Sequence, residues 1–341
     1  MKNNNNTIIF VPGFKGSTLV NQEGTLIWPN LIRAQFNHTT SLSNDPASTN
    51  IQHYFLYESA DIVKTVTVLP GLYKRNIYSN FVNSIKKNIS VDTELILFHY
   101  DWRQDLMILV NKLKSLIETI SKNKEGKIDI ICHSMGGLIT NYVMQTIRND
   151  RIRQVFFVAV PFRGTAKALL DLMYGSKFGM NHTLLSAKTM ASFLSIYYLL
   201  PRYPEALVNH DLFDIETWKE LDLEYLSNQD SAPQFELLKI QLARVNEFYN
   251  RLESEKIKSC EQKKLIFINS LGYSTPTKIQ LKPKINIISS AGDGSIPGIS
   301  LQVPDYFRSF DCKVYHIDKR HVSIFTSNEL IKIILKNLVH N

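Results

Sequence analysis

A run of apolar, β-branched residues, Ile128-Asp129-Ile130-Ile131, leads directly into Cys132-His133-Ser134-Met135-Gly136-Gly137. Leu138, Ile139, Tyr142, Val143 and Ile147 then follow at helical spacing. A strand that turns into a helix over one serine leaves little freedom. The serine must take strained backbone angles, and the residues two before and two after it must be small for strand and helix to approach. Gly136 meets that demand fully, whereas Cys132 stands where glycine is usual and meets it approximately. A serine that merely caps the helix is the plain alternative, but a simple cap gives no reason for Met135-Gly136-Gly137 to follow it.

Strand and helix patterns alternate along the rest of the chain. Thr7–Val11, Glu94–Tyr100, Lys127–Ile131, Gln154–Val160, Ile285–Ser289 and Lys313–Ile317 read as strands, most of them apolar throughout. Parallel strands buried on both faces read that way, which predicts an α/β fold with a mostly parallel, doubly wound sheet. The 341 residues suit one domain, 1–341, with insertions. Asn3–Asn6 reads as a disordered start rather than a leader peptide. No stretch reaches the roughly 18 to 20 apolar residues of a membrane span, so the expected setting is cytoplasmic. Three scattered cysteines, Cys132, Cys260 and Cys312, provide neither a disulfide framework nor a metal site. The net charge of +8 is spread over many segments without a basic, aromatic-laced stripe, which argues against nucleic acid. Solvated lysines on helix faces are the plainer reading, and such a surface would also suit an acyl carrier protein or an anionic membrane surface.

A serine hydroxyl becomes a useful nucleophile when a histidine takes its proton and a carboxylate holds that imidazole. With an elbow serine, the acid and then the histidine are expected on loops after later strands. Asp293 fits the acid, in the tight turn Gly292-Asp293-Gly294-Ser295-Ile296-Pro297, although an Asp-Gly turn without chemistry would read the same. His321 fits the base, just beyond Lys313–Ile317. His316 lies within that strand, His340 at the chain end, and His133 beside the serine should point away from its hydroxyl. An oxyanion also needs backbone donors. The amide of Met135 is one candidate. The loop Phe10-Val11-Pro12-Gly13-Phe14-Lys15-Gly16-Ser17 offers Phe14 as the other, with Lys15 as its neighbouring alternative, and lacks the lysine-serine ending of a phosphate loop.

Together with Tyr100-Asp101-Trp102-Arg103, Pro161-Phe162-Arg163-Gly164-Thr165, Trp28-Pro29, Ser195–Pro201 and Leu271–Thr275, these motifs make the chain resemble the lecithin:cholesterol acyltransferase family, and its bacterial α/β-hydrolase members above all. The resemblance spans nearly the whole chain. It implies an α/β-hydrolase fold, a Ser134, Asp293, His321 triad, no cofactor, and transfer of an acyl group from an ester to water or an alcohol. Asp101 and Arg103, at a strand end, are expected to pair and brace loops of the site, with a surface turn as the plain alternative. Cys132 departs from the family pattern, as does the lack of the leader and lid disulfide expected of secreted, lipoprotein-acting members.

Two excursions interrupt the alternation. Residues 165–233 carry many large apolar side chains, among them Leu169, Met173, Phe193, Leu194, Tyr197 and Tyr198, and read as a cap over the site. Leu194, Tyr197 and Tyr198 are its candidate substrate contacts, suited to an acyl chain whose burial is worth about 0.8 kcal/mol per methylene, although most of the cap's apolar residues are expected simply to hold it to the core. Residues 21–68 are polar and are expected to form the other wall of the entrance. An acyl ester is the expected substrate, lipid-like or, as the alternative, linked to coenzyme A or a carrier protein. A non-catalytic binding protein is the remaining reading.

Overall fold

The computed structural model describes residues 5–31, 41–43, 57–69, 73–147, 150–178, 181–221, 223–226, 232–254, 263–307 and 310–339. Strand β1 (Asn6–Val11) opens the fold. A small antiparallel sheet follows, built from β2 (Ser17–Asn21), β3 (Leu26–Trp28) and β4 (Tyr57–Ile62), then the hairpin β5 (Thr65–Leu69) and β6 (Tyr73–Asn76). Strand–helix alternation begins at α1 (Ser79–Asn88). It continues through β7 (Thr93–Leu97), α2 (Leu106–Asn123), β8 (Ile128–His133), α3 (Met135–Thr146) and β9 (Ile152–Val158). Helices α4 (Ala166–Tyr174), α5 (Ala187–Ala191), α6 (Leu194–Tyr197), α7 (Ile215–Glu220) and α8 (Ala232–Ser254) come before β10 (Lys264–Asn269). The chain closes with the hairpin β11 (Tyr273–Gln280) and β12 (Asn286–Gly292), α9 (Gly298–Leu301), β13 (Cys312–His316) and α10 (Asn328–Val339).

Among the described residues the central sheet has six strands in the order β13-β10-β9-β8-β1-β7, and all five pairings are parallel. Side chains alternate between its faces. Ile9 and Val11 of β1 join one core with Leu109, Leu113 and Ile117 of α2 and Leu138 and Val143 of α3. Ile8 and Phe10 join the other, with Phe81 and Ile85 of α1 and Leu330 and Ile334 of α10. This two-sided burial is why the central stretches of these strands, such as Ile8–Val11 and Leu265–Ile268, are apolar at successive positions. Asp105 caps α2 by accepting the Met107 amide at 2.8 Å, and α3 is buried along most of its length because α2 and the cap cover what the sheet does not. The architecture is that of an α/β-hydrolase.

Four expectations change. Ile285–Ser289 is not a central strand; all but Ile285 falls in β12, antiparallel to β11 outside the main sheet, with Ile285, Ile287 and Ile288 more than two-fifths exposed. The central position belongs instead to Lys264–Asn269, whose buried Leu265 to Ile268 lie between β9 and β13. A short apolar run reads the same in a buried strand and in a hairpin, so periodicity does not separate them. The strands expected to reach Tyr100 and Val160 stop at Leu97 and Val158, leaving both residues on loops. Asn6 starts β1, and its side chain accepts the Lys127 amide at 2.8 Å.

The helical run after β9 continues past residue 233, since α8 extends to Ser254 and packs on α6 and α7. Within the 21–68 excursion, residues 32–40 and 44–56 lie outside the described residues, as do Asn3, Asn4, Cys260 and His340.

Candidate active site

The site is built where β8 meets α3. Ser134 holds φ 51° and ψ −126°, the strained geometry expected of an elbow serine. The tightness around it is measurable. A Cβ on Gly136 would lie 2.3 Å from the Pro12 carbonyl oxygen and 2.6 Å from that of Val11, and one on Gly137 would lie 2.1 Å from Cγ2 of Val160. The Ser134 amide donates to the Val158 carbonyl at 3.0 Å, and its own carbonyl accepts from Gly137 at 2.8 Å. Cys132 fits without glycine's freedom because its Sγ turns into the protein and donates to the Phe156 carbonyl at 3.2 Å. Burial pushes that thiol's pKa up, so it stays protonated.

Two later loops reach the serine. His321 opens a short 3-10 turn (His321–Thr326), and its amide donates to the Asp293 carbonyl at 2.9 Å. Its ring places Nε2 3.0 Å from Ser134 Oγ and Nδ1 2.7 Å from Asp293 Oδ2. Asp293 is fully buried, and its Oδ1 accepts the Ser295 and Ile296 amides at 2.9 and 2.7 Å. An ionised Oδ2 accepts from Nδ1–H, which leaves the lone pair of Nε2 facing the serine hydroxyl. The Asp-Gly turn and the carboxylate that meets His321 are therefore one feature. Gly294 takes φ +88° and donates its amide to Thr275 Oγ1 at 2.8 Å, and the turn so formed aims the carboxylate.

The loop after β1 lies against the serine. A Cβ on Gly13 would be 2.8 Å from Ser134 Cβ, so only glycine allows this approach. The Gly16 amide closes the loop on the Gly13 carbonyl at 2.9 Å, and Lys15 adopts φ 62°. Phe14 packs edge-on to Trp102, ring centroids 5.2 Å apart, and near Phe193 at 6.4 Å. The Lys15 ammonium lies 5.1 Å from the Phe14 ring, and burial lowers its pKa to about 8. Met135 is the first residue of α3, where helical amides have no carbonyl four residues back.

The Tyr100–Arg103 segment acquires a physical role. The Tyr100 hydroxyl donates to the Pro12 carbonyl, its amide donates to Ser17 Oγ at 3.1 Å, and the Trp102 indole donates to the Ser17 carbonyl at 3.0 Å. Arg103 forks onto Asp101 at 2.9 and 2.7 Å while donating to the main-chain carbonyls of Leu42 and Tyr57. The segment thus ties the 21–68 excursion, held through Arg103, to the loop carrying Phe14, held through Tyr100 and Trp102.

Leu194, Tyr197 and Tyr198 sit together at the cap's base. The Tyr197 hydroxyl donates to the Ala191 carbonyl at 2.9 Å, and the fully buried Tyr198 donates to the Asp105 carboxylate at 3.1 Å. The first bond lies within the cap, and the second fastens the cap to the N-terminus of α2. Leu194 is partly exposed. Phe193, which touches both Trp102 and Phe14, is the cap residue with a direct packing link to the site's loop.

His133 turns its Nδ1 to the Tyr78 hydroxyl at 2.7 Å, and its ring lies 4.9 Å from that of His321. Tyr78 carried no sequence signal, being one aromatic before a helix. His316 is exposed on an edge strand. Among the described residues, no cluster of histidine, cysteine or carboxylate side chains could hold a metal ion, and no helix is long and apolar enough to cross a membrane.

Known proteins resemble this chain in part of its sequence or in its fold. A Saccharomyces cerevisiae relative, the uncharacterized protein YJR098C, is 34% identical over 143 residues, covering 39% of this chain and 21% of its own. A phospholipid–sterol O-acyltransferase of Arabidopsis thaliana is 26% identical over 121 residues, 30% of this chain and 19% of its own. The matched segments span about a fifth of the length of these curated relatives. A chain of the Tle4–Tli4 complex superposes with a TM-score of 0.68 over 97% of both chains at 13% identity, which shows a shared fold. The lecithin:cholesterol acyltransferase family model matches residues 17–265, from β2 to the start of β10, and the chain belongs to that family.

Proposed function

We propose that this protein is a serine-dependent acyl hydrolase or acyltransferase that works through an acyl-enzyme on Ser134. The observation that carries the reading is the unbroken run of hydrogen bonds from Ser134 Oγ through His321 to Asp293, set on a strained elbow. As Oγ attacks the acyl carbonyl, His321 Nε2 takes its proton. The amides of Phe14 and Met135 receive the charge that develops on the carbonyl oxygen. His321 then gives the proton to the departing alcohol, and the acyl group remains as an ester on Ser134. Water or an acceptor alcohol repeats the sequence, with His321 as base, and frees the serine. Proton transfer of this kind contributes about 10² to 10⁴ in rate, and each oxyanion donor about 10² to 10³.

The partly exposed Phe14, on the loop that approaches Ser134, and Leu194 of the cap support an acyl chain as the group this site receives. A long-chain ester fits those apolar side chains best. The dispersed positive charge also suits donors presented by an acidic carrier protein or an anionic membrane.

Intact-mass spectrometry after brief incubation with a panel of esters, thioesters and carrier-bound acyl groups tests the proposal. One acyl adduct is expected on the wild type and none on Ser134→Ala, and its removal by water or by an added alcohol separates hydrolysis from transfer. An adduct that survives the substitution would refute the assignment.

A further inference from the structure

The loop that carries Phe14 is held peptide by peptide. In a trans peptide the carbonyl and the next N–H point in opposite directions, so fixing one end aims the other. The Pro12–Gly13 peptide is gripped at both ends. Its carbonyl accepts the Tyr100 hydroxyl, and its N–H, that of Gly13, donates to the Tyr78 hydroxyl at 3.3 Å. The following peptide has its carbonyl, that of Gly13, held by the Gly16 amide at 2.9 Å, so the Phe14 N–H points the other way. Gly13 is the one residue of this corner with no side chain to restrain it, and the tyrosine grip replaces that restraint.

Tyr78 is itself oriented. Its oxygen accepts from Gly13, so its proton has one place to go, the Nδ1 of His133 at 2.7 Å. His133 must then be neutral, with its proton on Nε2. Burial and the neighbouring His321 both lower its pKa far below the usual histidine value, which keeps it so. That Nε2–H is buried and lies toward the His321 main chain. The two imidazole rings lie 4.9 Å apart, and Phe325 packs on both Tyr78 and His133. His133 therefore links the loop bearing Phe14 to the loop bearing His321, with the nucleophile between them in sequence and space.

We infer that Tyr78 and His133 are positioning residues that set the Gly13–Phe14 corner for the oxyanion, an inference that rests on the acyl-enzyme reading of Ser134. Neither touches the reacting atoms. Their effect falls on the tetrahedral state and not on the bound ester, because only the former carries charge at the Phe14 amide.

The test is Tyr78→Phe, which keeps the ring packed against Phe10 and Phe325 and removes only the hydroxyl. With a short-chain p-nitrophenyl ester, kcat should fall roughly ten- to a hundredfold while KM stays within about twofold. Octylboronic acid, which mimics the tetrahedral adduct, should lose affinity by the same factor as kcat/KM. A merely structural role would lower the melting temperature without that proportionality. His133→Asn, whose carbonyl can stand in for Nδ1, should retain most of the rate, and His133→Leu should behave like Tyr78→Phe. The His133 pair decides the matter if Tyr78→Phe does not fold. Variants at wild-type kcat, or equal boronate affinity in all of them, would overturn the inference. Wild-type protein that neither turns over the ester nor accepts a fluorophosphonate would instead overturn the reading of Ser134.

Discussion

Replacing Asp293 by asparagine should disable His321 through its tautomer and leave the fold in place. Oδ1 of Asp293 accepts two amides, those of Ser295 and Ile296, while Oδ2 accepts one N–H from His321. Asparagine has one acceptor oxygen and one NH₂. Turning the oxygen to the two amides preserves both of those bonds; turning it to His321 would set the NH₂ against two N–H groups in a site with no solvent exposure. The first orientation wins, and it presents NH₂ to His321 Nδ1. Nδ1 must then accept, the ring proton moves to Nε2, and the lone pair that faced Ser134 Oγ at 3.0 Å is gone. The loss is about 10⁴-fold in kcat, equivalent to about 5.5 kcal/mol of transition-state stabilisation. KM and melting temperature should change little, because the number of hydrogen bonds at residue 293 is conserved. The assay is steady-state turnover of p-nitrophenyl butyrate with a parallel thermal melt. A variant within about tenfold of wild-type kcat, well folded, would refute the tautomer argument.

Gly137→Ala should destabilise the protein by about 1–3 kcal/mol through its clash with Val160, and Val160→Ala should recover part of that in the double variant, read by chemical denaturation. Cys132→Gly should keep kcat within about threefold, since the thiol faces Phe156 and not the substrate, while costing about 1–3 kcal/mol of stability from the lost contact and the added backbone freedom. Tyr198→Phe should cost about 1 kcal/mol by taking the phenol from Asp105, with the Asp105 cap on α2 intact. His133 is neutral in the fold and titrates near 6.5 when unfolded, so the unfolded chain binds the extra proton below that pH. Stability should therefore fall as pH drops below about 6.5, and His133→Asn should flatten that slope in melts between about pH 4.5 and 7.

The features most legible in sequence were those where local chemistry and backbone demand coincide. Ser134 is flanked by glycine because α3 runs against the carbonyls of Val11 and Pro12, and Asp293 sits between glycines because a turn must aim it inward. Such positions leave a short-range trace. Strand membership did not, since Ile285–Ser289 and Lys264–Asn269 are both brief apolar runs, and only pairing with β9 and β13 singles out the second. Tyr197 and Tyr198 read as lid aromatics, yet their hydroxyls bond to Ala191 and Asp105, partners that one-dimensional spacing does not reveal. Tyr78 was invisible for the same reason. Its importance lies in meeting Gly13, 65 residues away, and His133, 55 residues away.

The most direct measurement is covalent labelling of the folded protein with a fluorophosphonate, followed by peptide mapping. One adduct per chain is expected, on the peptide containing Ser134, with labelling lost in Ser134→Ala and strongly slowed in His321→Ala. No label on the native protein, or a label that persists in Ser134→Ala, would contradict the account of Ser134 as the nucleophile.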